Sequence, residues 1–173
     1  MKKALALILS LMIVAAAAMA FAEEKILNWS EMEESAAQTG GEFQSFDAVG
    51  LKVWIPASVR EVELTDEDRE TGYVGYYAAD NDSLIVAVVN LKIEITTRED
   101  YIKALEGIDE VSNITNITVN GIPAVLYDLE AEQTSTVSVI REDGNVFEIT
   151  VFPTSDDDSR AAARMIFSSI QQD

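Results

Sequence analysis

The sequence has no cysteine and no histidine. Without cysteine there can be no disulfide, no thiolate metal site and no thiol nucleophile. The cysteine of a lipobox is missing too, so a lipid tether is not expected and release is. Without histidine the chain lacks the commonest general base near neutral pH and the commonest transition-metal ligand. Serine–histidine and cysteine–histidine catalysis are excluded, and so are histidine-bearing zinc sites. Positive charge is scarce: 12 Lys and Arg stand against 31 Asp and Glu, for a net charge of −19. Nucleic acid and anionic lipid both need a basic face, so neither is expected as a partner. Such a surface favours solubility and positively charged partners.

What is present begins with residues 1–22. Lys2 and Lys3 precede an apolar run interrupted only by Ser10. Ala18-Met19-Ala20 and Ala20-Phe21-Ala22 both fit a small-x-small cleavage pattern, and Glu23-Glu24 follow. This order of positive, apolar, small and polar reads as a signal peptide cut after Ala20 or Ala22. The expected location is outside the cell or in its envelope, with no membrane attachment after cleavage. Loss of the two lysines brings the net charge to about −21. The competing reading is an uncut anchor, since residues 4–22 are long enough to span a bilayer. No later apolar run approaches that length. The expected organisation is a signal peptide over 1–22, a helical segment over 23–41 and one domain over 42–173.

Asn28 or Ser30 can cap a short helix over 28–38, with acids in its first turn and Gly40-Gly41 at its end. Residues 42–46 and 51–55 read as a hairpin around Ala48-Val49-Gly50, and Pro56 stops its second strand. Thr65 caps a helical turn that ends at Gly72. Strands follow over 73–79 and 84–92, the second almost wholly apolar and therefore central. Thr97 and Asp100 open a helix closed by Gly107. Asn120-Gly121 joins strands 111–119 and 122–129, the strongest hairpin signal in the chain. Asp143-Gly144-Asn145 joins 134–141 to 146–152, where Val137, Val139, Phe147, Ile149 and Val151 alternate with polar positions. Acids at 156–158 cap a last helix, whose apolar face is Ala162, Met165, Ile166, Phe167 and Ile170. The pattern predicts an α+β fold, a largely antiparallel sheet of about six to eight strands with helices packed on it.

Three features resemble the Mog1/PsbP-like sandwich family. They are the strand Leu51-Lys52-Val53-Trp54-Ile55 ending in Pro56, the capped helix at Thr97-Arg98-Glu99-Asp100-Tyr101, and the hairpin from Thr118 to Val125 with its two following strands and helix. The likeness runs from Phe43 nearly to the end. The chain also resembles small secreted proteins of gut-dwelling Gram-positive bacteria. Within the sandwich family one relative binds a small nuclear GTPase and others serve photosystem II. No functional residue of theirs matches a position here, and a shared fold does not confer a shared task.

Trp54, Tyr73, Tyr76 and Tyr77 are the candidate ligand-binding residues. As strand residues, Tyr73 and Tyr77 should share one face and Tyr76 the other, with Trp54 pointing away from Leu51, Val53 and Ile55. Exposed on a strand, they would suit a glycan, peptide or protein of the envelope or exterior. The plainer account is that they pack beneath the helices. The clusters 156–158 and 80–82 could hold calcium, but helix caps and turns use the same residues. Paired carboxylates could run a glycan or cell-wall hydrolase, although no pair is marked out in so acidic a chain. No cofactor motif and no catalytic motif is present. The reading is a secreted, non-enzymatic binding domain, with the carboxylate hydrolase as its alternative.

Overall fold

The computed structural model describes residues 24–173, so the candidate export signal lies outside the described residues. The described residues open with β1 (Lys25–Leu27), a 3-10 turn at Trp29–Glu31 and α1 (Glu33–Thr39). Here the single helix expected over 28–38 is broken at Met32. Neither Asn28 nor Met32 caps through its side chain, and the Trp29 amide is already taken by Asn120 Oδ1 at 2.8 Å. A remote acceptor has thus replaced the local cap that a continuous helix would need.

Two sheets follow. β2 (Gly41–Phe46) and β3 (Leu51–Pro56) form the expected hairpin. Next come β4 (Arg60–Glu61), α2 (Asp66–Glu70), β5 (Tyr73–Ala78), β6 (Ile85–Lys92), α3 (Arg98–Glu106), β7 (Val111–Val119) and β8 (Ile122–Leu129). The chain ends with β9 (Thr134–Ile140), β10 (Asn145–Phe152), α4 (Asp157–Ser168) and β11 (Gln171–Gln172). The larger sheet has eight strands in the order β1-β7-β8-β9-β10-β6-β5-β4, and the smaller runs β11-β3-β2. All pairs are antiparallel except β1 with β7. The α+β class and the mainly antiparallel sheet expected from the sequence are both present.

At the other three helix starts the caps work as the sequence implies. Thr65 and Asp68 exchange bonds across the first turn of α2, Thr97 accepts from the Asp100 amide, and Asp156 and Ser159 form a box at α4. Each satisfies amide donors that a helix start leaves open.

One core fills the space between the sheets. Val53 and Ile55 of β3 meet Val86 and Val88 of β6, Phe147 and Ile149 of β10, and Ile166 and Phe167 of α4. A second core lies on the opposite face of the large sheet, where Tyr101, Ile102 and Leu105 of α3 cover Val125, Tyr127 and Val146. β6 is covered on both faces, which is why Val86, Val88 and Val89 are fully buried and its sequence is continuously apolar.

Residues 24–41 are built into this body. β1 extends the large sheet, and Arg98 of α3 bonds Glu24 at 2.8 Å. β1, β4 and β11 are absent from the sequence reading because two or three residues carry no periodicity. Trp29 lies against Trp54 and Phe43, at centroid distances of 5.9 and 5.3 Å, on the outer face of the small sheet. Gly41 makes that closure possible. A Cβ there would come within 2.6 Å of the Trp54 ring and 2.5 Å of the Ile55 carbonyl oxygen. Gly41→Ala is therefore expected to destabilise the protein by about 2 kcal/mol, measured by urea unfolding. A change below about 0.5 kcal/mol would show that the hairpin relaxes freely.

Candidate functional site

The structure separates the four candidate aromatic residues. Trp54 does point away from Val53 and Ile55, but it is buried, 4 % exposed, beneath Trp29. Tyr73 and Tyr76 are half-buried and share one face, with ring centroids 6.3 Å apart. Tyr77 is buried on the other face, in the core between the sheets. This corrects the expected pairing of Tyr73 with Tyr77. The register of β5 against β6 shifts between Tyr73 and Gly75, so an extra residue inverts the alternation beyond it. Glycine at 75 lets the bulged strand lie close to its neighbours, since a Cβ there would lie 3.0 Å from Phe46 and 3.1 Å from Tyr77.

A groove opens between the two sheets, where β2 faces β4 and the end of β5. Its volume is about 450 Å³, and Glu42, Gln44, Ile55, Val59, Glu61 and Tyr77 are among its lining residues. Glu42 comes from one sheet and Glu61 from the other. Gln44 Nε2 donates to Glu42 Oε1 at 2.8 Å and fixes that carboxylate. Burial, with the negative charges of Glu61 and Glu42 behind it, pushes the Tyr77 hydroxyl up to about 12. The phenol therefore stays protonated and can both donate and accept a hydrogen bond. Arg60 also lines the groove, but its guanidinium is bonded to Asp80 at 2.9 Å. A second depression of about 190 Å³ continues along the same gap, past Ser45, Phe46 and Val74. Sequence reading missed Glu42 and Glu61 because alternation places an acid on a face without saying which distant edge faces it.

A different chemistry lies beneath α3. Glu148 of β10 is 2 % exposed, the only buried acid among the described residues. The Tyr101 hydroxyl donates to it, Ser138 Oγ lies 3.2 Å away and Tyr127 Oη 3.4 Å. Its surroundings are otherwise Val125, Val146 and the apolar face of α3. Desolvation raises the Glu148 carboxyl above its ordinary range, against the opposing pull of the three hydroxyl bonds. Tyr101 and Tyr127 are raised as well, first by burial and then by the nearby Glu148 charge. In the sequence, position 148 is one of the polar positions that alternate with Phe147, Ile149 and Val151. The flanking residues on the same face, Val146 and Phe152, carried a signal that it is covered.

The calcium candidates have other uses. Asp156 accepts from the Ser159 amide and Asp157 pairs with Arg160 at 2.7 Å. Asp80 pairs with Arg60, and Asn81 accepts from the Ser83 amide. Among the described residues no group of three or more His, Cys, Asp or Glu is arranged to hold a metal ion.

No family model and no curated protein sequence matches the chain. A solved structure does. The solution structure of a cyanobacterial PsbP, CyanoP from Synechocystis, matches with a TM-score of 0.56 and 12% identity, over 78% of this chain and 94% of that one. At that identity the match shows the fold, which is of the PsbP type, and leaves the site to be argued from this chain's own residues.

Proposed function

We propose that this is an exported, non-enzymatic binding domain that takes its partner in the groove between β2 and β4. The observation that carries the reading is the convergence there of Glu42, Glu61 and the Tyr77 phenol over an apolar floor of Ile55 and Val59. Binding sites combine such floors with a few directed polar groups. The partner is an extracellular or envelope protein, peptide or glycan, and the net charge of −19 favours one that carries positive charge. Against a carboxylate hydrolase stands the position of Glu148. It is the acid best placed to stay protonated, and it is sealed under α3 away from any substrate.

The test is a panel of envelope polymers, glycans, exported proteins and basic peptides titrated into the purified protein, with NMR shifts as the readout. A specific partner is expected to perturb residues 41–44, 59–61 and 77. Glu42→Lys with Glu61→Lys is expected to weaken it at least about tenfold, because the charges of the groove are reversed while the fold is untouched. A partner that instead moves Tyr73 and Tyr76 would overturn the groove as the site. Failure of every probe to perturb it would do the same.

A further inference from the structure

The two sheets of this fold have four edges, and three are blunted. β1 has three residues, while β4 and β11 have two each. Short strands are one of the ordinary ways an edge is kept from pairing with other chains. β2 differs. It has six residues, pairs with β3 in unbroken register from Gly41 to Phe46, and has no second partner strand among the described residues. It contains no lysine, no proline and no bulge, and its one charge is Glu42, on the groove side. The groove and the second depression are both lined by residues of β2, with Arg60, Glu61 and Tyr77 across the first and Val74 across the second.

We propose that β2 is an acceptor edge for strand addition, and that its occupant is an extended segment of a partner protein in which basic and apolar residues alternate. This names the partner class and binding mode for the groove and so rests on that reading. Side chains of an added strand alternate between two faces. One set would enter the groove toward Glu42, Glu61 and the Tyr77 hydroxyl, which suits lysine or arginine. The other would lie on the outer face beside Phe43, which is 38 % exposed and packs edge-on against Trp29 at 5.3 Å. That face suits an apolar or aromatic residue. Charge decides between a foreign partner and a second copy of the chain. Pairing β2 with β2 would bring two Glu42 carboxylates, and two strongly anionic proteins, together.

The probes are three capped heptapeptides added to the purified protein. One alternates lysine and valine, one has the same composition in two blocks, and one alternates glutamate and valine. The readouts are amide hydrogen exchange along Gly41–Phe46 and the fluorescence of the Trp29–Trp54 pair. The alternating basic peptide is expected to slow exchange in β2 about tenfold or more, and the other two peptides are not. Glu42→Gln with Glu61→Gln should weaken its binding about tenfold, and added salt should weaken it further. Phe43→Lys, which places a cation on the edge, should weaken it as well. Equal binding of alternating and block peptides without protection of β2 would reduce the effect to charge attraction and overturn the inference. Concentration-dependent protection of β2 with no peptide present would make the occupant a second copy and overturn it too. If a glycan or polymer perturbs Glu42, Glu61 and Tyr77 while the peptide leaves β2 unprotected, strand addition fails and the groove reading stands. If nothing perturbs the groove, both fail.

Discussion

Glu148→Ala is expected to destabilise the protein by about 3–5 kcal/mol. Two costs combine. The substitution leaves a cavity among Val125, Val146 and the face of α3, which cannot collapse because the large sheet is its floor. It also removes the carboxyl that accepts from the Tyr101 hydroxyl and neighbours Tyr127, leaving Tyr101 with Ser138 Oγ at 3.1 Å as its remaining partner. A buried hydrogen bond lost in this way costs about 1–3 kcal/mol. Glu148→Gln preserves the shape and one acceptor, so a loss of about 1 kcal/mol is expected. The two variants separate the cavity from the charge.

The same pair reads out the ionisation. The folded-state pKa of Glu148 lies above its unfolded value, so the native protein holds a proton that the unfolded chain releases more readily. Its contribution is therefore fully present below the unfolded pKa, about 4.3 for glutamate. It is lost as pH rises from there through the folded pKa. Urea unfolding over this range should show wild-type stability falling with pH more steeply than that of Glu148→Gln. The remaining acids repel one another in both proteins and cancel in the difference. Parallel pH profiles would show that Glu148 ionises normally, and that water reaches it.

Asn120→Asp is expected to cost about 2–4 kcal/mol, far more than a turn substitution usually does. Asn120 has φ +47°, a conformation asparagine tolerates and the hairpin turn requires. Its side chain does more than make the turn. Oδ1 accepts from the Trp29 amide at 2.8 Å, and Nδ2 donates to the carbonyls of Ser168 at 2.7 Å and Ile170 at 2.9 Å. One amide thus ties the N-terminal segment, the β7–β8 turn and the end of α4. Aspartate keeps the acceptor but turns a donor into an oxygen facing two carbonyls, which repel it. Asn120→Gly keeps the backbone and deletes all three bonds, and about 1–3 kcal/mol is expected. A red shift of tryptophan emission before global unfolding would show Trp29 lifting from Trp54. If Asn120→Asp falls within about 0.5 kcal/mol of wild type, the three segments are held by apolar packing alone.

These residues show where local reading stops. The hairpin at Asn120-Gly121 was legible because two consecutive positions with positive φ select that dipeptide. The bonds Asn120 makes to residues 48 and 50 positions away were not, because nothing local encodes them. The strand over 146–152 was legible from alternation. The burial of Glu148 was not, because a polar residue in an alternating pattern marks a solvated face unless a helix from elsewhere covers it. The tyrosines of β5 failed for a third reason. A bulge adds one residue against a partner strand, and a single strand's sequence does not display its partner's count.

The sequence by itself determined the chemistry that is absent, the strong negative charge, the positions of caps and turns, and the long strands and helices, because these follow from residue types and from periods of a few residues. The tertiary structure alone decided which acid is sealed under α3, which acids meet across the groove, which tyrosines share a face, and which strand is left with an open edge. Those outcomes depend on pairing between segments far apart in the chain, and the register of one strand against another sets them all.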